Sequence, residues 1–99
     1  MEIAVEEARK GMRNNEGGPF GAVIVKDGKI ISRGHNKVLG TNDPSAHAEI
    51  VAIREASSIL DTFDLSGCEL YATTMPCPMC LSPICWARIG KVYYGTSTE

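Results

Sequence analysis

Two short motifs of histidine, glutamate and cysteine constrain the fold of this chain more than any other feature. His47-Ala48-Glu49 lies near the middle of the sequence, and Pro76-Cys77-Pro78-Met79-Cys80 lies towards its end. Each motif falls in the first turns of a predicted helix. If the two motifs act together, the fold must bring the beginnings of two helices to one point.

The order of the predicted elements indicates the fold class. From periodicity, apolar runs and turn residues we predict, in order, a helix over 2–14, strands over 20–25 and 30–33 joined by a turn, a loop over 34–43, a helix from Pro44 to about Leu60, a connector over 61–67, a strand over 68–74, a helix opened by Pro76-Cys77-Pro78 and ended by Gly90, and a strand over 91–95. Alternating strands and helices call for a partly parallel sheet covered by helices. The class is therefore α/β.

Length and composition are those of one small globular domain over residues 1–99. The chain has 99 residues, of which 43% are hydrophobic and 22% charged, so we expect an ordinary packed core. Such a domain buries a modest share of its surface, and a bound metal or a second subunit would add stability.

The side chains of the two motifs suit a catalytic zinc ion. His47, Cys77 and Cys80 offer one imidazole and two thiolates, and a tetrahedral Zn²⁺ with three protein ligands keeps its fourth position for water or substrate. The predicted helix start at Cys77 favours the thiolate form. Glu49 lies two residues beyond His47, where it could exchange protons with water as general acid and base without ligating the metal.

Other interpretations of these residues stay open at this stage. The Cys77–Cys80 pair alone could be a redox pair or half of a closed structural zinc site, with Cys68, Cys85 or His35 as the fourth ligand. A closed site would leave Glu49 without a task. The ordinary expectation is that Cys68 and Cys85 are buried thiols and that His35, in the predicted loop, lies at the surface or forms hydrogen bonds.

Charge and the N-terminal sequence bear on partners and location. The formal net charge is −2 and the basic residues are scattered, which favours a small free substrate and makes nucleic acid an unlikely partner. No secretory signal peptide or membrane-length apolar run is present, so we expect a cytoplasmic protein without membrane association. The closely spaced cysteines agree with a reducing compartment.

The chain resembles the cytidine and deoxycytidylate deaminase superfamily. His-x-Glu followed by Pro-Cys-x-x-Cys is the pattern by which zinc nucleobase deaminases are recognised. The resemblance extends to the stretches Gly17–Val25, Gly34–Asn36 and Thr41–Glu49. Within the superfamily, Pro19-Phe20-Gly21, Asn42-Asp43-Pro44 and Trp86-Ala87-Arg88 are similar to the small guanine deaminase branch, whereas the tRNA adenosine deaminase branch usually has valine in place of Phe20.

The resemblance implies a three-layer α/β/α fold with a mixed central sheet, a homodimer, and hydrolytic release of ammonia from a ring carbon. It also implies that the Asn36 side chain and the Ala48 backbone N–H contact a nucleobase or nucleoside, most plainly a purine such as guanine. Phe20 and Trp86, which would ordinarily be core or interface residues, are retained as candidates for substrate contact.

Two departures from the family pattern leave the substrate open. Met75 replaces a common glutamate before Pro76, and the chain ends just past the last predicted strand, where members normally continue with at least one more helix. We therefore expect a domain that is short at its C-terminus. The alternatives are a tRNA adenosine or cytosine/cytidine deaminase, and a non-catalytic, zinc-stabilised interaction module.

Overall fold

The fold is known from a computed structural model, which describes residues 1–96. Its elements are α1 (Glu2–Arg13), β1 (Gly21–Lys26), β2 (Lys29–His35), α2 (Val38–Thr41), α3 (Ala48–Leu60), β3 (Cys68–Thr74), α4 (Pro78–Trp86) and β4 (Lys91–Thr96). Within residues 1–96 no helix has the length and apolar character needed to cross a membrane.

The strands form one mixed sheet in the order β2-β1-β3-β4. β1 pairs antiparallel with both β2 and β3, whereas β3 and β4 are parallel. The predicted hairpin is confirmed: Asp27 and Gly28 connect β1 to β2 with φ values of 52° and 77°, the two positive φ values of a type I′ turn. The α/β class and the mixed sheet are confirmed as well.

Helices cover both faces of the sheet. A Cβ atom added to Gly21 would point into the backbone of α1, whereas one added to Gly34, whose strand neighbour is Ala22, would point into α3. Because neighbouring residues of a strand face opposite sides, α1 and α3 lie on opposite faces. Ile84 of α4 belongs to the same core cluster as Ala22 and Ala52, so α4 shares the face of α3. The expected three-layer arrangement is therefore confirmed.

The helix predicted from Pro44 to about Leu60 corresponds to α3. Its predicted start at Pro44 is wrong, whereas its predicted end at Leu60 is confirmed. Asp43 Oδ1 accepts hydrogen bonds from the Ser45 N–H and hydroxyl, and these bonds fold the segment into a turn. The Ala46 carbonyl accepts from the Lys37 N–H at 2.9 Å, a contact that no local pattern reveals. The helix begins only at Ala48, with His47 as its N-cap residue.

The predicted end of the fourth helix at Gly90 is also wrong, because α4 ends at Trp86. Arg88 adopts a left-handed φ of 65°. Its N–H donates to the Cys85 carbonyl, and the Ile89 N–H donates to the Ile84 carbonyl, which are the two hydrogen bonds of a Schellman motif. An arginine thus occupies the position for which glycine is the usual residue.

The predicted loop over 34–43 is partly regular. Gly34 and His35 complete β2, and Val38–Thr41 form one helical turn. Gly34 lies directly under α3, because a Cβ atom there would be 2.5 Å from the Ala48 carbonyl oxygen and 2.7 Å from the Ala52 nitrogen. The absence of a side chain at Gly34 therefore sets how closely the first turn of α3 approaches the sheet.

We predict that Gly34→Ala lowers the free energy of unfolding by roughly 1–3 kcal/mol, because the added methyl group must push α3 away from β2. Gly90→Ala is the matched control, since an added Cβ at Gly90 meets nothing within 4 Å, and it should change the free energy by less than about 0.5 kcal/mol. Urea denaturation of both variants measures the difference. Equal stabilities would show that α3 can shift without cost.

Candidate metal centre and adjoining cavity

The starts of α3 and α4 bring the histidine and the two cysteines together. His47 is the N-cap residue of α3, and Cys77 is the N-cap residue of α4, both with extended backbone. Cys80 lies in the first turn of α4 and is fully buried. Each motif therefore opens a helix, and His47 and Cys77 lie at the N-cap position, directly before the first helical turn.

The distances among the three ligand atoms fit one tetrahedral ion. His47 Nδ1 lies 3.6 Å from Cys77 Sγ and 3.5 Å from Cys80 Sγ, and the two sulfur atoms are 3.7 Å apart. Zinc bonds of about 2.3 Å to sulfur and about 2.0–2.1 Å to nitrogen place tetrahedral ligands roughly 3.8 Å (sulfur to sulfur) and 3.6 Å (sulfur to nitrogen) apart. The donor set and its spacing are those of a zinc site, and these residues could hold the ion.

The surroundings of Cys80 call for a cation. Burial raises the pKa of the Cys80 thiol far above its ordinary value, and the negative charge of Glu49 and the neighbouring Cys77 raise it further. The helix beginning alone therefore does not offset the cost of burying a thiolate here. A divalent ion held by His47, Cys77 and Cys80 would supply this positive charge and favour the thiolate form of Cys80.

The structure does not bring a fourth protein ligand to this group. Among residues 1–96, the histidines, cysteines and carboxylates close enough to share an ion are His47, Cys77 and Cys80. Cys68 pairs with Lys26, at the end of β1 away from the site. Cys85 is exposed, which corrects the expectation that it is buried. A tetrahedral ion held by these three residues would keep one position for water or substrate, as in catalytic zinc sites.

Glu49 lies beside the ligands and lines a small cavity. Its side chain is buried, only 5% exposed, and forms a hydrogen bond with Cys80. The cavity of about 80 Å³ is lined by Phe20, Asn36, His47, Ala48 and Glu49. The structure thus brings Phe20, Asn36 and Ala48 together with Glu49 at one cavity.

Asn36 is firmly placed at the cavity wall. Its Oδ1 atom accepts a hydrogen bond from the Val38 N–H at 3.0 Å, and its backbone N–H donates to the Phe20 carbonyl at 3.1 Å. A backbone N–H can donate only to the oxygen of the amide, so this contact also assigns the two ends of the side chain. The Nδ2 group is therefore the part of Asn36 that remains to donate to a ligand.

Two of the discussed side chains lie away from the cavity. Trp86 is 79% exposed and borders a surface depression with Phe63, Cys85 and Arg88. His35 is only 4% exposed, which corrects its expected loop position, and both ring nitrogens contact carboxylates, as the hydrogen-bonding alternative anticipated.

Glu7 and Glu16, the two partners of His35, were not predicted from the sequence. Glu7 shares the buried face of α1 with Ala4, Ala8 and Gly11. A charged residue on such a face requires a partner, and this was the signal that could have identified the cluster.

Comparison with known proteins places this geometry in context. Residues 1–96 match the family model described as the cytidine and deoxycytidylate deaminase zinc-binding region. The chain is 54% identical over 94 residues to the guanine deaminase of Bacillus subtilis (95% of this chain, 60% of the relative). It is 47% identical over 94 residues to the tRNA-specific adenosine deaminase of Aquifex aeolicus (95% of this chain, 62% of the relative).

Solved structures give the same two groups. The X-ray structure of the Bacillus subtilis guanine deaminase superimposes with a TM-score of 0.93 at 52% identity, covering 96% of this chain and 60% of that one. A tRNA:A34 deaminase structure superimposes with a TM-score of 0.95 at 44% identity, covering 99% of this chain and 75% of that one. The chain therefore spans about three fifths of the length of the curated relatives it matches.

We predict about one zinc ion per chain, with two sulfur ligands and one nitrogen ligand in the X-ray absorption spectrum. Cys80→Ala should abolish stoichiometric zinc and lower the melting temperature, because site formation is coupled to folding. Cys85→Ala is the control, since it removes an exposed thiol from the same helix, and it should retain the metal. Elemental analysis that finds no zinc in protein purified without chelator would contradict the site.

Proposed function

The chain belongs to the family of the cytidine and deoxycytidylate deaminase zinc-binding region, and from that membership we propose that it is the catalytic part of a zinc-dependent nucleobase or nucleoside deaminase. The observation that carries this proposal is the meeting of three zinc-compatible ligand atoms with a buried carboxylate at one cavity. A purely structural zinc site has no use for Glu49 or for the cavity.

The residues divide the work of deamination among them. His47, Cys77 and Cys80 would hold Zn²⁺, which when bound supplies a Lewis acid that makes water a stronger nucleophile. Glu49 takes a proton from the attacking water as the carbon–oxygen bond forms. It then delivers a proton to the amino nitrogen as the carbon–nitrogen bond breaks, so that one carboxyl group serves both steps and ammonia leaves.

Substrate orientation falls to the cavity wall. The Asn36 Nδ2 group donates to an acceptor on the ring, and the Ala48 N–H at the start of α3 belongs to the first helical turn, whose N–H groups lack intrahelical acceptors. Phe20 is half-buried at the cavity and offers an aromatic surface to a planar base. Trp86 of the same chain lies elsewhere, so a substrate role for it requires a second subunit.

The proposed substrate is a free purine base, and guanine is the purine that we expect the protein to prefer. Supporting this choice are the identity of 54% to a guanine deaminase and a net charge of −2 without a basic stripe. The cavity of about 80 Å³ is smaller than typical ligand sites of roughly 300–1,000 Å³.

The second candidate is deamination of adenosine in tRNA. It is supported by the identity of 47% to the Aquifex aeolicus protein and by the similar TM-scores of the two solved structures. A cytosine or cytidine substrate would use the same residues, since each of these rings carries an amino group on a carbon. If the protein deaminates none of these substrates, the remaining interpretation is a non-catalytic zinc module.

The protein is further proposed to be a cytoplasmic homodimer that acts in purine metabolism. Four free cysteines agree with a reducing compartment. Trp86 and Phe63 are 79% and 67% exposed and border one surface depression, and large exposed aromatic side chains of this kind are typical of subunit interfaces.

A panel of substrates tests the proposed function. Zinc-loaded protein is incubated with guanine, guanosine, adenine, cytosine, cytidine and a tRNA anticodon stem-loop, and ammonia release is measured. We expect turnover of guanine above all others. Turnover of the stem-loop alone would establish the second candidate, and no turnover of any member would leave the non-catalytic module.

Replacing Glu49 by glutamine tests the proton carrier. Glu49→Gln keeps the shape of the side chain but removes the ionisable group, so zinc should stay bound while kcat falls by roughly 10²- to 10⁴-fold. Glu55→Gln, an exposed change on the same helix, is the control and should retain full activity. If Glu49→Gln loses its zinc, Glu49 is a ligand; if it keeps full activity, the proton carrier lies elsewhere.

Sedimentation of a Trp86 variant tests the homodimer. The wild-type protein should sediment as a dimer at tens of micromolar, and Trp86→Ala should shift it towards monomer, because a large aromatic anchor is removed. Leu39→Ala changes a residue that is 69% exposed in α2, which follows edge strand β2, and it should not alter the association. A wild-type monomer at this concentration contradicts the homodimer.

A further inference from the structure

His35 lies between two carboxylates behind the cavity. Its Nδ1 atom is 3.1 Å from Glu7 Oε1, and its Nε2 atom is 2.8 Å from Glu16 Oε1. His35 and Glu7 are both buried, at 4% and 7% exposure. Each ring nitrogen of His35 therefore has a carboxyl group as its hydrogen-bond partner, which fixes the orientation of the ring.

The contact with His35 favours the ionised form of Glu16. The hydrogen bond from His35 is the largest cause that lowers the pKa of Glu16, followed by contact with Asn14, which keeps Glu16 ionised at neutral pH. The other charged side chains that border the His35 side of β2 are Lys10 on α1, Arg33 on β2, Lys37 after β2 and Glu55 on α3. Among these charged side chains, Glu7 and Glu16 are the ones that contact the ring directly.

The three residues join separate segments of the chain. Glu7 belongs to α1, Glu16 to the segment after α1, and His35 to the end of β2. The backbone of Glu16 adds to this connection, because its carbonyl accepts from the Leu39 and Gly40 N–H groups at 3.0 and 2.9 Å. The segment that carries Glu16 is therefore bound both to His35 and to α2.

Asn36 lies directly between these two attachments. It follows His35 in sequence, and Gly17, which follows Glu16, lies against it. A Cβ atom on Gly17 would be 2.2 Å from Asn36 Oδ1 and 2.4 Å from the Asn36 carbonyl oxygen. A displacement of the Glu16–Gly17 segment thus changes the packing against the amide that lines the cavity.

We propose that Glu16 and His35 are positioning residues, which together with Glu7 fix the Asn36 side chain for substrate binding. This inference rests on the proposed function, because it takes Asn36 as a substrate contact. The cluster does not touch the cavity itself, since Asn36 is the residue between them that lines it. It acts by holding the Nδ2 donor of Asn36 in one orientation.

Glu16→Ala is the variant that tests this role. The Glu16 side chain is partly exposed, at 27%, and the backbone bonds of the residue do not need it, so the fold should survive. We expect KM for guanine to rise roughly tenfold, the effect of weakening about one substrate hydrogen bond, while kcat changes less than about twofold. Glu16→Gln keeps an acceptor for His35 and should restore part of the loss.

Glu6→Ala is the matched control, because Glu6 is an exposed glutamate that pairs with Arg13 outside the cluster. It should leave KM and kcat unchanged. A purely structural role for Glu16 would lower the melting temperature without changing KM, and that result overturns the proposal.

A double-mutant cycle shows whether Glu16 acts through Asn36. In an Asn36→Ala background, Glu16→Ala should have no further effect on kcat/KM, because the group that it positions is already absent. If the two effects multiply instead, Glu16 acts on the reaction by another route and the proposal is wrong.

The Asn36 side-chain amide resonance separates this proposal from the proposed function. In ¹H–¹⁵N spectra of the zinc-loaded protein, Glu16→Ala should shift the Nδ2 resonances of Asn36, and Glu6→Ala should not. This measurement needs no substrate, so it decides the positioning role even if the panel shows no deaminase activity. An unchanged Asn36 resonance in Glu16→Ala overturns it.

Discussion

The convergence of two helix beginnings on one ligand triangle is the constraint on which the rest of the structure depends. His47 Nδ1 and the sulfur atoms of Cys77 and Cys80 lie within 3.5–3.7 Å of one another, although the motifs are remote in sequence. Because burial disfavours a thiolate at Cys80, an ion bound within the triangle would also make this packing favourable.

Small residues allow the layers to approach closely enough for this convergence. The core that joins α3 to the sheet contains Ala22, Ala48, Ala52 and Ala56, all completely buried, and Gly34 lies beneath the helix. Each of these small side chains buries little apolar area, so the core gains less hydrophobic stabilisation per residue than a core of larger side chains would. The short distance between helix and strand is what places Glu49 and Asn36 at one cavity, since one comes from α3 and the other follows β2.

The sequence predicted the elements whose signals are local. β3 was predicted with its observed bounds, and the Asp27-Gly28 turn and the residues of the ligand triangle followed from turn chemistry and ligand spacing. The errors arose from contacts between distant segments. The hydrogen bond from the Lys37 N–H to the Ala46 carbonyl holds residue 46 outside α3, which begins only at Ala48. The two partners of His35 lie 28 and 19 residues away from it in sequence. A pattern within a short window contains no information about such partners.

The proposed metal ligands and Glu49 all lie at the N-cap position or in the first turn of α3 or α4, and this has a consequence for divergence. α4 has nine residues, so about 13 Å along the helix separates Cys77 from Trp86, and about 9 Å separates Cys80 from Trp86. The exposed side chains on the later turns of α3 and α4 can therefore change, and with them the association of the protein, while the proposed metal ligands stay in place. The residues of α4 that would bind the metal and those that would govern association can thus vary independently.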